Sequence, residues 1–158
     1  MTAYNLTVPM KKIHPDAQPP LCGSRYALAY DLACVPDDTF LWDGETSKWY
    51  RRLMPMESHL FHTGWSFAPP KDFGVIFKDR SGMGGKRGIH HMAGICDADF
   101  LGEYLVKLIN LSQEAQRIDD GDRIIQMIFI KRSDVKFVEC DDLPATERGC
   151  CGFGSTGI

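Results

Sequence analysis

At 158 residues the chain is long enough for one domain with a substantial core. Its 44% apolar and 25% charged residues are those of an ordinary soluble globular protein and exclude collagen-like or low-complexity chains. A formal net charge of -3 gives no global electrostatic footprint for nucleic acid, so an anionic ligand needs a locally basic site. From the N-terminus, MTAYNLTVPM lacks an apolar h-region, so no signal peptide is expected. Residues 4–8 read as a short strand ahead of a Pro-rich stretch. Short apolar runs broken by Gly, Pro and Asp follow, with strands expected at 26–34, 58–63, 73–77, 123–130 and 135–139. The stretch 38–52, DTFLWDGETSKWYRR, holds two of the three Trp and a DG turn, and reads as a hairpin or long loop. This spacing predicts an all-β sandwich or barrel. Residues 100–118 place apolar groups at 101, 104, 105, 108, 111, 115 and 118, which is helical spacing. Gly102 and the all-β surroundings oppose a helix, and periodicity leaves both readings open. No run of 18 apolar residues occurs, so no membrane span is expected. The six Cys (22, 34, 96, 140, 150, 151) show no zinc-like spacing and read as reduced thiols of a cytoplasmic setting, or a nuclear one in a eukaryotic or viral context.

Five short segments mix charge with Gly: AYDLA (29–33), DRSGM (79–83), GICDADFLGE (94–103), GDRIIQM (121–127) and the closing RGCCGFGSTGI (148–158). In DRSG, a guanidinium fork suited to phosphate oxygens stands beside a hydroxyl and a Gly that lets backbone N–H groups approach a ligand. A solvated surface turn is the plainer reading. In GICDADF, Asp97 and Asp99 would share one face of a strand, where repulsion raises one pKa and prepares a general base. Their turn preference equally fits a polar hairpin tip. Asp31 interrupts an apolar run and could face a partner, a metal or solvent. His90 and His91 would face opposite sides of a strand, with no third ligand at a suitable spacing. They do not read as a zinc site, and none of the five His is assigned chemistry.

Taken in order, the five segments resemble the five motifs of the trimeric dUTPase family, deoxyuridine triphosphate nucleotidohydrolases. The resemblance runs from about Arg25 to Gly157. It implies a jelly-roll-like β-barrel over 1–147, strand rather than helix at 103–110, and a C-terminal lid at 148–158. It further implies a homotrimer in which each active site draws on all three subunits. The implied reaction is hydrolysis of dUTP to dUMP and pyrophosphate, which supplies dUMP for dTMP synthesis. No nucleic-acid or membrane partner is expected.

By the same resemblance, Asp97 activates the water that attacks the α-phosphorus. Phe100 packs against the deoxyribose and excludes a 2′-hydroxyl. The backbone of Gly94, Ile95 and Cys96 reads the uracil. Arg80, Ser81, Gly82 and Gln126 contact the phosphates, and Asp31 holds waters on a Mg²⁺ carried by the triphosphate. In the tail, Phe153 stacks on the base beside Gly154, while Arg148, Ser155 and Thr156 hold the γ-phosphate. A triphosphate carries about four negative charges, so Mg²⁺ with Arg80 and Arg148 is a sensible complement.

The sequence departs from the family pattern at several places. Phe100 replaces the usual Tyr, Ala29 and Cys151 stand at Gly positions, Asp79 stands where Pro is common, and 38–52 looks inserted. Two alternatives follow. One is a dUTPase-fold viral or phage regulator acting through protein contacts, with the Trp-rich stretch as its surface. The other is the related dCTP deaminase branch, against which Lys107 occupies the place of that branch's catalytic Glu.

Overall fold

The computed structural model describes residues 6–147, 149 and 150. The regular structure of the described residues is one π-helical turn at Gly82–Lys86 and a set of short antiparallel strands. In chain order these are β1 (Met10–Lys12), β2 (Leu21–Cys22), β3 (Tyr30–Ala33), β4 (Leu41–Asp43), β5 (Lys48–Leu53), β6 (Ser58–His62) and β7 (Trp65–Phe67). There follow β8 (Phe73–Lys78), β9 (Ile89–Met92), β10 (Ile95–Cys96), β11 (Leu105–Asn110), β12 (Gln116–Asp119) and β13 (Arg123–Lys131). They form a five-stranded sheet ordered β10-β8-β13-β3-β2, two three-stranded sheets, β6-β11-β9 and β12-β5-β4, and the pair β1-β7. The result is the jelly-roll-like barrel expected from the sequence.

The ambiguous segment is β11. Val106, Leu108 and Asn110 point inward while Lys107 points out, which is the period of two that a strand imposes. Both edges are paired: Leu105 to Ile109 lie opposite β6, and Lys107 to Asn110 lie opposite β9. Two ladders satisfy the backbone on both sides, so tertiary pairing outweighs the helical spacing. Of the residues that created that spacing, Leu101 and Leu111 are exposed. The strands enclose a core of Leu32, Phe61, Phe77, Val106, Leu108 and Ile125, among others. Asn110 is fully buried and fully bonded. Its Nδ2 donates to the Leu53 and Glu114 carbonyls at 3.0 and 2.8 Å, and its Oδ1 accepts from Ser112 N–H at 2.9 Å.

The expected strands at 58–63, 73–77 and 123–130 form within a residue or two of their bounds. The expectation at 26–34 is too long, because only Tyr30–Ala33 pairs. Residues 6–8 are not strand, and the first pairing begins at Met10, opposite Phe67; the rest of the 4–8 expectation lies outside the described residues. Residues 135–139 form no strand. They have the alternation of one, but a strand needs an adjacent edge, and the described residues offer none there. Val135, Phe137 and Val138 are 65, 92 and 70% exposed. The 38–52 stretch is a hairpin, β4–β5, with Trp42 and Trp49 in edge-to-face contact at 5.3 Å. Asp43 Oδ1 closes its turn by accepting from the Glu45 and Thr46 N–H groups.

Candidate active site

β8 organises the site, because the residues singled out from the sequence gather at its two ends. At its C-terminal end β13 lies between β8 and β3, so that Gln126 stands opposite both Lys78 and Asp31. A bulge between Arg123 and Ile125 re-aims the start of β13. Asp31 is buried at 5% exposure and is surrounded by donors. Arg123 Nη1 and Gln126 Nε2 donate to it at 3.1 and 3.2 Å, and Arg80 Nε lies 3.1 Å from Oδ2 as an ion pair. Arg80 Nη1 also donates to the Arg123 carbonyl at 2.8 Å. Ser81 and Gly82 follow, exposed, at the opening of the π-helical turn. A buried carboxylate thus holds two guanidiniums and an amide in one cluster. Arg123 lies in the GDRIIQM segment, where the family resemblance assigns a role to Gln126 alone, since linear order does not show which partner the Arg123 guanidinium meets.

Along the middle of β8, β10 pairs antiparallel to it, with Cys96 opposite Val75 and Ile95 opposite Ile76, and leads Asp97 toward the N-terminal end. The Gly94 carbonyl accepts from Phe77 N–H at 2.7 Å. Asp97 and Asp99 do not share a strand face. Residues 97–100 form a tight turn closed by Phe100 N–H donating to the Asp97 carbonyl at 3.1 Å. The turn preference of these Asp residues is met but no hairpin forms, since β10 pairs with β8 while β11 pairs with β6 and β9; the turn leaves Asp97 exposed at an open cleft of about 880 Å³ lined by Gly74, Ile95, Cys96 and Asp99. Among the described residues the Asp97 carboxylate has no hydrogen-bond partner. Phe100 is 46% exposed and stacks on Tyr104, with ring centroids 6.0 Å apart and planes 24° apart. A Cβ at Gly102 would lie 2.7 Å from Phe100 Cζ, so only glycine lets the ring lie where it does. Burial pushes the Cys96 thiol up to about 11, helped by the Asp97 charge, so it is not a ready nucleophile.

One further cluster contradicts the reading of the histidines. Asp79 Oδ1 lies 2.7 Å from His91 Nδ1 and Oδ2 lies 2.5 Å from His90 Nδ1. The third ligand-type group that the sequence spacing lacks is therefore supplied across the fold by Asp79. Partial burial raises the Asp79 pKa, but hydrogen bonds from His91 and His90 outweigh it and hold the carboxyl below its usual range. No linear spacing signals this meeting, because β8 and β9 are brought together only by the barrel.

The family model for dUTPase matches residues 46–157 of the chain. The chain belongs to the dUTPase family. A dUTPase family member from Hydrogenobaculum sp., a deoxyuridine 5'-triphosphate nucleotidohydrolase, is 34% identical over 94% of this chain and 96% of its own length. The enzyme of that name from Wolinella succinogenes is 33% identical over 96% of this chain and 95% of its own. Among solved dUTPase structures, a mutant from Staphylococcus bacteriophage 80alpha with dUpNHpp has a TM-score of 0.78 at 19% identity, covering 96% of this chain and 99% of that one. A phage phi11 dUTPase mutant from S. aureus, described as coordinating a structural Mg(II) ion, has a TM-score of 0.72 at 14% identity over 88% of this chain and 99% of that one. At these identities the structural likeness carries the fold. Of the tail residues in the fifth motif, Arg148, Phe153, Gly154, Ser155 and Thr156 lie outside the described residues.

Proposed function

We propose that the chain hydrolyses dUTP to dUMP and pyrophosphate, with Asp97 as the base that activates the attacking water. The observation that carries this reading is the open Asp97 turn, found in a chain aligned nearly end to end with nucleotidohydrolases. An exposed carboxylate at a cleft, with no hydrogen-bond partner among the described residues, can take a proton from water; a carboxylate bound to arginines cannot do so without losing them. Phe100, propped on Tyr104, forms an aromatic floor that rejects a 2′-hydroxyl by shape, with or without a hydroxyl of its own. The Gly94–Cys96 backbone supplies the donors and acceptors that read the base, where a mismatched edge would be left unpaired.

The phosphate-binding groups stand at the far end of β8. Val75, opposite Cys96, and Arg80 are five residues apart, roughly 17 Å along a strand. Arg80 is directed toward Asp31 and Arg123 rather than toward Asp97. One chain therefore presents half of two sites, and a homotrimer completes each by setting the Arg80 end of one subunit against the Asp97 end of another. The exposed 135–139 segment, which has strand alternation without an edge, is supported by the same assembly. Residues 148–158 serve as the lid, with Phe153 over the base and Arg148, Ser155 and Thr156 on the terminal phosphate.

Asp31 fits the role of holding waters on Mg²⁺. A carboxylate offers about four lone-pair sites; Arg123 and Gln126 donate to two of them, Arg80 stands beside them as an ion pair, and oxygen lone pairs remain for a water of a hydrated ion. When bound with the triphosphate, Mg²⁺ supplies charge neutralisation along the phosphate chain. The reading of the chain as a pure regulatory module is not favoured, since the nearly full-length curated relatives carry the hydrolase name.

The test is pyrophosphate release from dUTP, with dCTP and UTP as controls, for wild type and Asp97→Asn. Rapid release from dUTP alone, lost in the variant, is expected. Equally slow release by both proteins would sink the catalytic reading. Sedimentation should give a mass three times the 17.8 kDa chain. Deleting 148–158 should leave that assembly folded and poorly active.

A further inference from the structure

We propose that Asp79, His90 and His91 form a binding site for a borderline divalent transition ion, Zn²⁺ foremost, separate from the Asp31 position. Neighbouring residues on a strand normally diverge. Here the Nδ1 atoms of both His90 and His91 turn to one carboxylate, each facing a different oxygen, at 2.5 and 2.7 Å. One ligand atom from each residue lies within 4.8 Å of the other two. The carboxylate is itself fixed, because its Oδ1 accepts the His91 N–H at 2.9 Å on the edge of β9 that β11 leaves free. The His91 side chain is 13% exposed, and its Nε2 would lie 2.9 Å from a Cβ at Gly94, so the glycine makes room for the ring. The His90 side chain is 52% exposed and opens the cluster to solvent. Two imidazoles and one carboxylate with an open side are a zinc-type donor set, whereas Mg²⁺ takes oxygen ligands.

An ionised carboxylate only accepts, so in the metal-free protein each ring carries its proton on Nδ1. The ion takes the place of those two protons. Each neutral ring moves its proton to Nε2, both Nδ1 lone pairs and one carboxylate oxygen bind the metal, and water fills the remaining position. Ligand atoms around tetrahedral zinc stand about 3.3 Å apart, given metal–nitrogen bonds of about 2.0–2.1 Å. The cluster must therefore open by less than about 1 Å, a movement that the exposed His90 ring can make.

The experiment uses the full chain stripped with a chelator. Zn²⁺ titration by calorimetry should show one high-affinity ion per chain, with Mg²⁺ failing to compete. Co²⁺ should give visible bands without the near-ultraviolet charge transfer of thiolates, which separates this site from the cysteines. His90→Ala, at an exposed position, should fold normally and bind Zn²⁺ at least tenfold more weakly. Asp79→Asn should do the same. Equal Zn²⁺ affinity in wild type and His90→Ala would overturn the site, and so would a Co²⁺ spectrum dominated by thiolate bands. None of these readouts depends on dUTP turnover, so the outcome is independent of the proposed reaction.

Discussion

The two ends of β8 teach opposite lessons about charge. At the C-terminal end, Asp31 is buried and paired with Arg80, Arg123 and Gln126. At the N-terminal end, Asp97 heads an open turn and, among the described residues, has no hydrogen-bond partner, which suits the base proposed for it. A carboxylate used to hold other groups in place has to be enclosed and paired, because an unpaired buried charge is costly. A carboxylate used as a base has to keep its lone pairs for water. The same side chain, on one strand of a sheet and just past another, suits architecture or the proposed reactivity according to its partners.

Substitutions separate the two roles, and the largest effect is expected at Asp97. Asp97→Asn should lower kcat for dUTP about a thousandfold while leaving the melting temperature near wild type; a variant that unfolds would show that Asp97 is structural after all. Asp31→Ala should do the reverse and weaken the fold by about 3 kcal/mol, the low end for breaking a buried pair, because both guanidiniums keep some access to water. Urea unfolding measures it, and an unchanged midpoint would remove the architectural role.

Gly102→Ala is a finer probe of the open end. Its new Cβ must push the Phe100 ring aside, since the two would lie 2.7 Å apart. KM for dUTP should rise severalfold, and discrimination against UTP should fall, with little change in stability. The smallest effect is expected from acid. Asp79 has a folded-state pKa below its unfolded value of about 3.9, so its pairing stabilises the protein above that value and is lost as pH falls through the lower one. In chelator-treated protein, the melting-temperature gap between wild type and Asp79→Asn should be present above about pH 4 and close as pH falls below it. A gap that persists undiminished once the carboxyl is protonated would refute the pairing.

By itself the sequence determined the class of fold, since short β-branched runs between turn residues cannot build helices long enough to pack. It also determined which segments bear chemistry, because Gly beside Arg or Asp is poor for a core and good for a ligand. Its periodicity could not decide 100–118, where spacing fits two periods; the family resemblance implied strand at 103–110, and the ladders with β6 and β9 are the physical reason that Leu105–Asn110 is one. Nor could local patterning separate Asp31 from Asp97, since burial and partners arise when β3, β13 and β8 come together. The pairing of Asp79 with His90 and His91 was equally hidden, because groups eleven positions apart in the chain are brought to hydrogen-bond distance only by the barrel. Local patterning records what a residue can do, and long-range pairing decides which of those things it does.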